Sequence, residues 1–394
     1  MPSPDKEELK QRAIEAVEAE RDHLVELSLR IHGNPEVGFQ EEKASQWLCE
    51  YLERYGFQVE RAFCGLDTAF RAVAGEGEPR VAFLAEYDAL PGLGHACGHN
   101  IIAASSTGAA VALARLLPET GGSVVVIGTP AEEIHGGKAI MAERGAFDGL
   151  DAVMLFHPGS RNAVFTGALA CATLYVEYFG KEAHAATRPE TGVNALDAVI
   201  IAYNAISALR QHIRDTARIH GIITDGGRVP NVVPGHAAAT FLVRAFDETY
   251  LEELKEKVIA CFRAGAEATG ARLEYHWADV QYAPLRLNRP LAEACKENLL
   301  RLGRKVGDAA TLRGLGSTDM GNVSLVAPTI HPSIAIAPRG VVIHTPDFAR
   351  LAASEEGHRG LIDAAKALAM TAIDVQTDAA LRERIREHFL ASPA

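Results

Sequence analysis

The sequence predicts an α/β fold, a mostly parallel sheet with helices on both faces, carrying an inserted α+β domain. Three observations support this. Short, continuously apolar runs at 80–90, 123–133 and 150–158 alternate with helical segments, the pattern of parallel strands covered on both sides. From about residue 170 the order becomes strand, helix, strand, strand, helix, strand, a βαββαβ unit of about 110 residues, large enough to be a domain of its own. The chain then returns to its earlier style, so the unit reads as an insertion.

Taken in order, residues 5–56 read as two helices, the second in "EEKASQWLCEYLERYGF", separated by the Gly- and Pro-punctuated "HGNPEVGF". Helix is expected over 100–117 and in "GGKAIMAERGAF". In the insertion the strands are 171–179, 218–224, 236–245 and 271–277, and the helices 194–215 and 247–267. Beyond it come a helix at 288–303, a loop "GLGSTDMGNVSLVAP", a strand near 333–337, the segment "GVVIHTPDF" and a long helix in "EEGHRGLIDAAKALAMTAIDVQ". The expected domains are 1–168 with 286–394, catalytic, and 169–285, inserted.

Composition narrows the function. Of 394 residues 48% are apolar and 23% charged, as in an ordinary globular protein with a sizeable core. With 51 acidic against 39 basic residues the net charge is −12, which argues against a nucleic acid or an anionic membrane as partner, since both need a basic face. The charged N-terminal segment lacks the pattern of a signal peptide, and no run reaches the roughly 18 apolar residues of a membrane span, so a cytoplasmic location is expected. The cysteines at 49, 64, 97, 171, 261 and 295 are too scattered for a disulfide framework.

Chemistry gathers at the strand ends, where ligands collect in parallel sheets. The first apolar run ends in "EYDALPG" with Asp88, followed by Cys97 and His99 in "HACGHN". The second ends in "TPAEEIHGG" with Glu132 and Glu133, the third at His157 in "LFHP"; His344 in "VVIHTP" follows another apolar run. Cys97, His99, Glu133, His157 and His344 supply one thiolate, three imidazoles and a carboxylate. One zinc ion is usually satisfied by four ligands, so five donors read as a two-metal site. Adjacent glutamates at a strand end diverge, so one can ligate while the other, Glu132, faces water as a general base. Asp88 is placed to orient a ligating imidazole. The N-terminus of the helix after Cys97 is expected to favour a thiolate there. Each feature alone has a bland alternative: a structural turn, a solvated face, a core histidine. Their convergence at three successive strand ends is what points to a site.

Together "AEYDALPGLGHACGHN", "GTPAEE", "FHP", "GKEAHAATRPETGVNALDA", "RVPNVVPG", "GSTDMGNVS" and "IHT" resemble peptidase family M20, the aminoacylase and carboxypeptidase type di-metal hydrolases, and within it the amidohydrolase branch with a Cys-Gly-His ligand pair. Asn100 departs from the aspartate usual after that pair, and this form resembles aminobenzoyl-glutamate hydrolases and β-alanyl-lysine type dipeptidases. The resemblance implies metal ligation by Cys97, His99, Glu133, His157 and His344, with Glu132 as base. It implies that His184 in "EAHAAT" reaches across a homodimer interface to steady the oxyanion, and that Asn231 contacts the substrate. Arg244 and Arg228, with Arg188 as a further candidate, are cations available for a substrate carboxylate. The expected activity is hydrolysis of an amide in an N-acyl amino acid or small dipeptide, with two divalent ions, Zn first and Mn, Co or Ni possible. Two other readings are a metal-dependent hydrolase of a non-peptide C–N bond, of deaminase type, which would release ammonia, and a binding protein on the same scaffold, which should have lost a ligand or Glu132.

Overall fold

The computed structural model describes residues 5–307 and 315–391. Gly314, the first residue of the loop expected at 314–328, lies outside them, as do residues 1–4, 308–313 and 392–394 of the first expected domain. The described residues divide into two compact units, 5–167 with 285–307 and 318–391, and 168–284 with 315–317.

The first unit opens with α1 (Lys6–Ala19), capped by the Asp5 carboxylate on the Glu7 N–H, then α2 (Arg21–His32) and α3 (Glu42–Arg54). The sequence pattern predicts one helix before the "HGNPEVGF" turn; two form, because the chain breaks at Glu20. No Gly or Pro marks that break. The buried Glu20 carboxylate instead accepts from the Tyr51 and Tyr55 hydroxyls and from Arg115. There follow β1 (Gln58–Arg61), β2 (Phe70–Gly75), β3 (Arg80–Glu86), α4 (His99–Ala114), α5 (Leu117–Thr120), β4 (Ser123–Thr129), α6 (Gly137–Glu143), β5 (Ala152–Met154) and β6 (His157–Gly159).

The second unit holds β7 (Ala170–Phe179), α7 (Ala195–Leu209), β8 (Arg218–Asp225), β9 (His236–Ala245), α8 (Glu248–Thr269) and β10 (Arg272–Trp277). Its antiparallel sheet runs β10-β7-β9-β8. Alternate residues Leu174, Val176 and Tyr178 of β7 and Ala239, Phe241 and Val243 of β9 bury one sheet face against α7 and α8, the period of two expected for a half-covered sheet.

The chain re-enters the first unit with α9 (Arg289–Arg301), α10 (Met320–Val326), β11 (Thr329–Ile330), β12 (Ser333–Ala335), α11 (Pro346–Leu351), α12 (Glu355–Thr377) and α13 (Ala379–Ala391). The main sheet runs β1-β2-β4-β3-β5-β11. Strands β4, β3, β5 and β11 are parallel, while β2 and β1 add an antiparallel edge. Val81, Phe83 and Ala85 of β3 join one core with α4 and α12; Ala82 and Leu84 join another with Met141, Phe147, Met320 and Val323. Both faces are therefore covered, which is why the strand reads as an unbroken apolar run. α4 is buried from His99 to Leu113, and its small residues permit close approach: a Cβ on Gly108 would lie 2.5 Å from a Leu24 methyl. This packing fixes the loop that feeds His99 into the carboxyl edge of the sheet.

Candidate metal centre

Strands β4, β3 and β5 are neighbours, and their carboxyl ends deliver the expected side chains to one place in the first unit. Three overlapping groups have donor atoms within 4.8 Å of one another: Cys97, His99 and His157; Cys97, Glu133 and His344; and His99, Glu132 and Glu133. Glu133 links two of these. Its Oε2 lies 3.3 Å from His344 Nε2 and its Oε1 3.8 Å from His99 Nε2.

Local backbone geometry makes the convergence possible. Gly98, between Cys97 and His99, has φ +80°, and a Cβ there would sit 2.9 Å from the Pro158 ring, so the turn needs both a left-handed residue and an empty side-chain position. His344 also has positive φ, and its N–H donates to Ala96 O at 2.8 Å, tying the late segment to the loop of Cys97.

Hydrogen bonds set the imidazole tautomers. His99 Nδ1 lies 3.0 Å from Asp88 Oδ1 and 2.9 Å from Asp88 O, so it donates there and leaves Nε2 to face the cluster. His157 Nδ1 donates to Pro158 O at 2.7 Å, and its Nε2 points at Cys97 Sγ, 3.3 Å away. His99 Nε2 and Glu133 Oε1 are buried without a hydrogen-bond partner. Buried polar atoms are normally satisfied, so a cluster of orphaned lone pairs with a thiol among them fits a metal ion.

Electrostatics agree. Burial pulls the His99 pKa down, but the Asp88 carboxylate outweighs it and holds His99 well above its usual value; the site attracts positive charge, and metal would displace the Nε2 proton. Burial, with Glu86 and Asp319, pushes Glu132 far above the carboxylate range. Burial acts on Glu133 in the same direction, yet His344 and His99 bring it to about 2. Neighbouring carboxyls with separated proton affinities are how acid–base roles are divided. The thiolate expectation for Cys97 needs correction: burial outweighs the helix terminus and pushes the thiol well up, so a bound cation is required to ionise it.

Several site residues give little warning in the sequence. Lys138 on α6 is fully buried, its Nζ 2.7 Å from Glu86 Oε1 and 2.8 Å from Asp319 Oδ1. Glu86 Oε2 lies 3.6 Å from His99 Nε2. The half-buried His331 ring stands edge-on to His157 with centroids 5.4 Å apart. Asp319 lies in the quoted "STDMGN", within a segment expected as loop; α10 begins at the next residue.

In the second unit, the His184 and Asn231 segments pair: His184 bridges Val232, and the Ala185 N–H donates to Asn231 O at 3.0 Å. His184 is exposed and its Nδ1 accepts from the Ala186 and Thr187 N–H groups, which places its own proton on Nε2 as a free donor. Arg244 on β9 donates to Ser317 Oγ at 3.2 Å, while its buried Nε has no hydrogen-bond partner. Arg228 and Arg188 are exposed.

This fold carries at its sheet edge a cluster of groups that could hold metal, and its family and relatives make the chain a hydrolase acting on C–N bonds. The sequence profile of Peptidase family M20/M25/M40 matches residues 72–367. The chain is 41% identical over 398 residues to Xaa-Arg dipeptidase of Mus musculus, covering 97% of this chain and 92% of that protein. It is 29% identical over 450 residues to a component of the p-aminobenzoyl-glutamate hydrolase of Escherichia coli K12, covering 95% and 93%. The crystal structure of a dinuclear metal binding peptidase from Bacillus subtilis superposes with TM-score 0.71 at 22% identity, covering 92% of this chain and 99% of that one. The chain belongs to Peptidase family M20/M25/M40.

Proposed function

We propose that this protein hydrolyses the amide of a small dipeptide or N-acyl amino acid, dipeptides ending in arginine being the first class to test, with Glu132 as general base. The observation that carries the reading is the meeting of the Nε2 atoms of His99 and His157, the Cys97 thiol and an orphaned Glu133 oxygen at one sheet edge, with Glu132 beside them. The dipeptide class follows from the identity to Xaa-Arg dipeptidase over nearly the whole chain.

Cys97, His99, Glu133, His157 and His344 hold two divalent ions, zinc first given the thiolate and imidazole donors, with Mn, Co or Ni as substitutes. Such ions supply Lewis-acid polarisation of the scissile carbonyl and acidification of water. Glu132 takes the proton from the attacking water and returns it to the leaving amine. Asp88 keeps the His99 tautomer. His184 presents Nε2–H to the developing oxyanion of a partner subunit's site in a homodimer, and Asn231, Arg244 and Arg228 are the groups for the substrate carbonyl and carboxylate. The protein works in the cytoplasm, where its free cysteines stay reduced.

The test is product release from Xaa-Arg dipeptides, β-alanyl-lysine, aminobenzoyl-glutamate and N-acetyl amino acids, with Zn or Mn and with chelator. Release of the free amino acid, abolished by chelator, is expected. Ammonia as the product would replace this reading with the deaminase type, and inertness of metal-loaded protein across the panel would remove the substrate assignment.

His184→Ala is expected to lower kcat by about 100- to 1000-fold, the usual cost of one oxyanion donor. If the residue acts across the interface, mixing His184→Ala with Glu132→Gln chains restores roughly a quarter of wild-type activity, because half the dimers then carry one intact site. Mixtures as dead as their parents would exclude action in trans.

A further inference from the structure

We propose that Glu41 is a positioning residue for the glutamate pair, holding Ala131 in a left-handed backbone conformation so that Glu132 and Glu133 diverge as the site requires. Resting on the roles just proposed for those glutamates, it begins from a backbone outlier. Ala131, directly after the Thr129 end of β4 and Pro130, has φ +60° and is fully buried. A non-glycine residue rarely adopts this conformation unless its surroundings enforce it.

The enforcement is visible. Glu41, fully buried at the start of α3, accepts the Ala131 N–H on Oε1 at 2.8 Å, and its Oε2 accepts from Thr68 Oγ1 at 2.9 Å. Two residues on, the Glu133 N–H donates to Asp88 Oδ2 at 3.0 Å. Glu132 is thus bracketed by two backbone N–H groups, each gripped by a carboxylate from another part of the chain. The segment before Glu41 closes over the same turn. A Cβ on Gly38 would lie 2.8 Å from Ala131 Cβ, and Phe39 stacks on His135 with ring centroids 5.3 Å apart. The hydrogen bonds of the Glu41 carboxylate go to the Ala131 N–H and to Thr68 and not to a proposed ligand, so its grip on the glutamate pair passes through the backbone.

Orienting groups around a metal site typically change metal affinity or activity by about 10- to 100-fold. Glu41→Ala is therefore expected to weaken Zn2+ binding and to lower kcat by about that factor, with KM changed less than about threefold. Because glycine adopts positive φ without a steric cost, Ala131→Gly placed in the Glu41→Ala chain should recover about tenfold of each loss. Glu41→Gln retains an acceptor oxygen for the Ala131 N–H and should bind Zn2+ like wild type. Titration with Zn2+ alone is read without substrate, so its outcome stands whether or not the substrate assignment does. Unchanged Zn2+ affinity in Glu41→Ala, or a loss that Ala131→Gly leaves untouched, would overturn the proposal. If Glu41→Ala does not fold, a Glu41→Gln chain that folds but binds Zn2+ tenfold more weakly overturns it as well, since charge and not the hydrogen bond would then be what matters.

Discussion

Replacing Glu132 by Gln is expected to lower kcat by about 100- to 10,000-fold, the range that a positioned general base contributes, while the chain keeps its full complement of metal. The two readouts belong together, because Glu132 also falls in one of the three donor groups, with His99 and Glu133. Geometry separates the neighbours. Glu133 reaches both ends of the cluster, 3.3 Å from His344 Nε2 and 3.8 Å from His99 Nε2, whereas Glu132 Oε2 is 4.0 Å from His99 Nε2. Their protonation separates them further. Glu133 is held as a carboxylate, as a ligand should be; burial, Glu86 and Asp319 raise the proton affinity of Glu132, and cations at the cluster would offset that rise and leave it the carboxylate a base requires. Glutamine removes the basic oxygen with little change of shape. If metal stoichiometry measured by elemental analysis falls with kcat, Glu132 is a ligand and the base lies elsewhere. If kcat stays within tenfold of wild type, no general base operates at this position.

What the sequence reveals of this site follows from local chemistry. Strands β3, β4 and β5 are buried on both faces, so their apolar runs stand out and their ends can be located; Asp88, Glu132, Glu133 and His157 lie just past those ends. Strand β1 leaves no such mark because it is the edge strand: "QVER" exposes most of its side chains, and its neighbour β2, "FRAVAG", buries only alternate residues, so neither offers a continuous apolar run to find. The segment of α10 reads as loop because Gly321 and Asn322 break its local propensity, while burial of Met320 and Val323 against the sheet overrides it. The polar residues behind the site are the hardest to see. A lysine in "GGKAIM" and a glutamate in "FQEEKAS" read as solvated, since the partners that make burial tolerable, Asp319 for Lys138 and the Ala131 N–H for Glu41, lie 181 and 90 residues away. Only the fold brings them together.

Lys138→Met is the second substitution expected to have a large effect, here on stability. Lys138, Glu86 and Asp319 are all fully buried, with the ammonium between the two carboxylates and the Lys138 backbone N–H also donating to Asp319 Oδ2 at 2.8 Å. Burial alone would pull Lys138 down, yet Asp319 and Glu86 raise it above its usual value, so the charge is firmly held. Removing one partner of a buried ionic cluster leaves charge without compensation and typically costs about 3–5 kcal/mol, against a total stability of about 5–15 kcal/mol for a domain. Urea unfolding of Lys138→Met should show a loss of that size, and adding Asp319→Asn should recover part of it by removing one of the stranded carboxylates. A Lys138→Met chain within about 1 kcal/mol of wild type would show the cluster to be energetically idle. The same change bears on the metal centre, because Glu86 Oε2 is 3.6 Å from His99 Nε2. Without the ammonium, Glu86 has only the cluster beside His99 as a source of positive charge, so Zn2+ should raise the unfolding midpoint of Lys138→Met by more than it raises that of wild type. An equal increment in the two chains would mean that Glu86 is screened from the metal centre and that the lysine serves the fold alone.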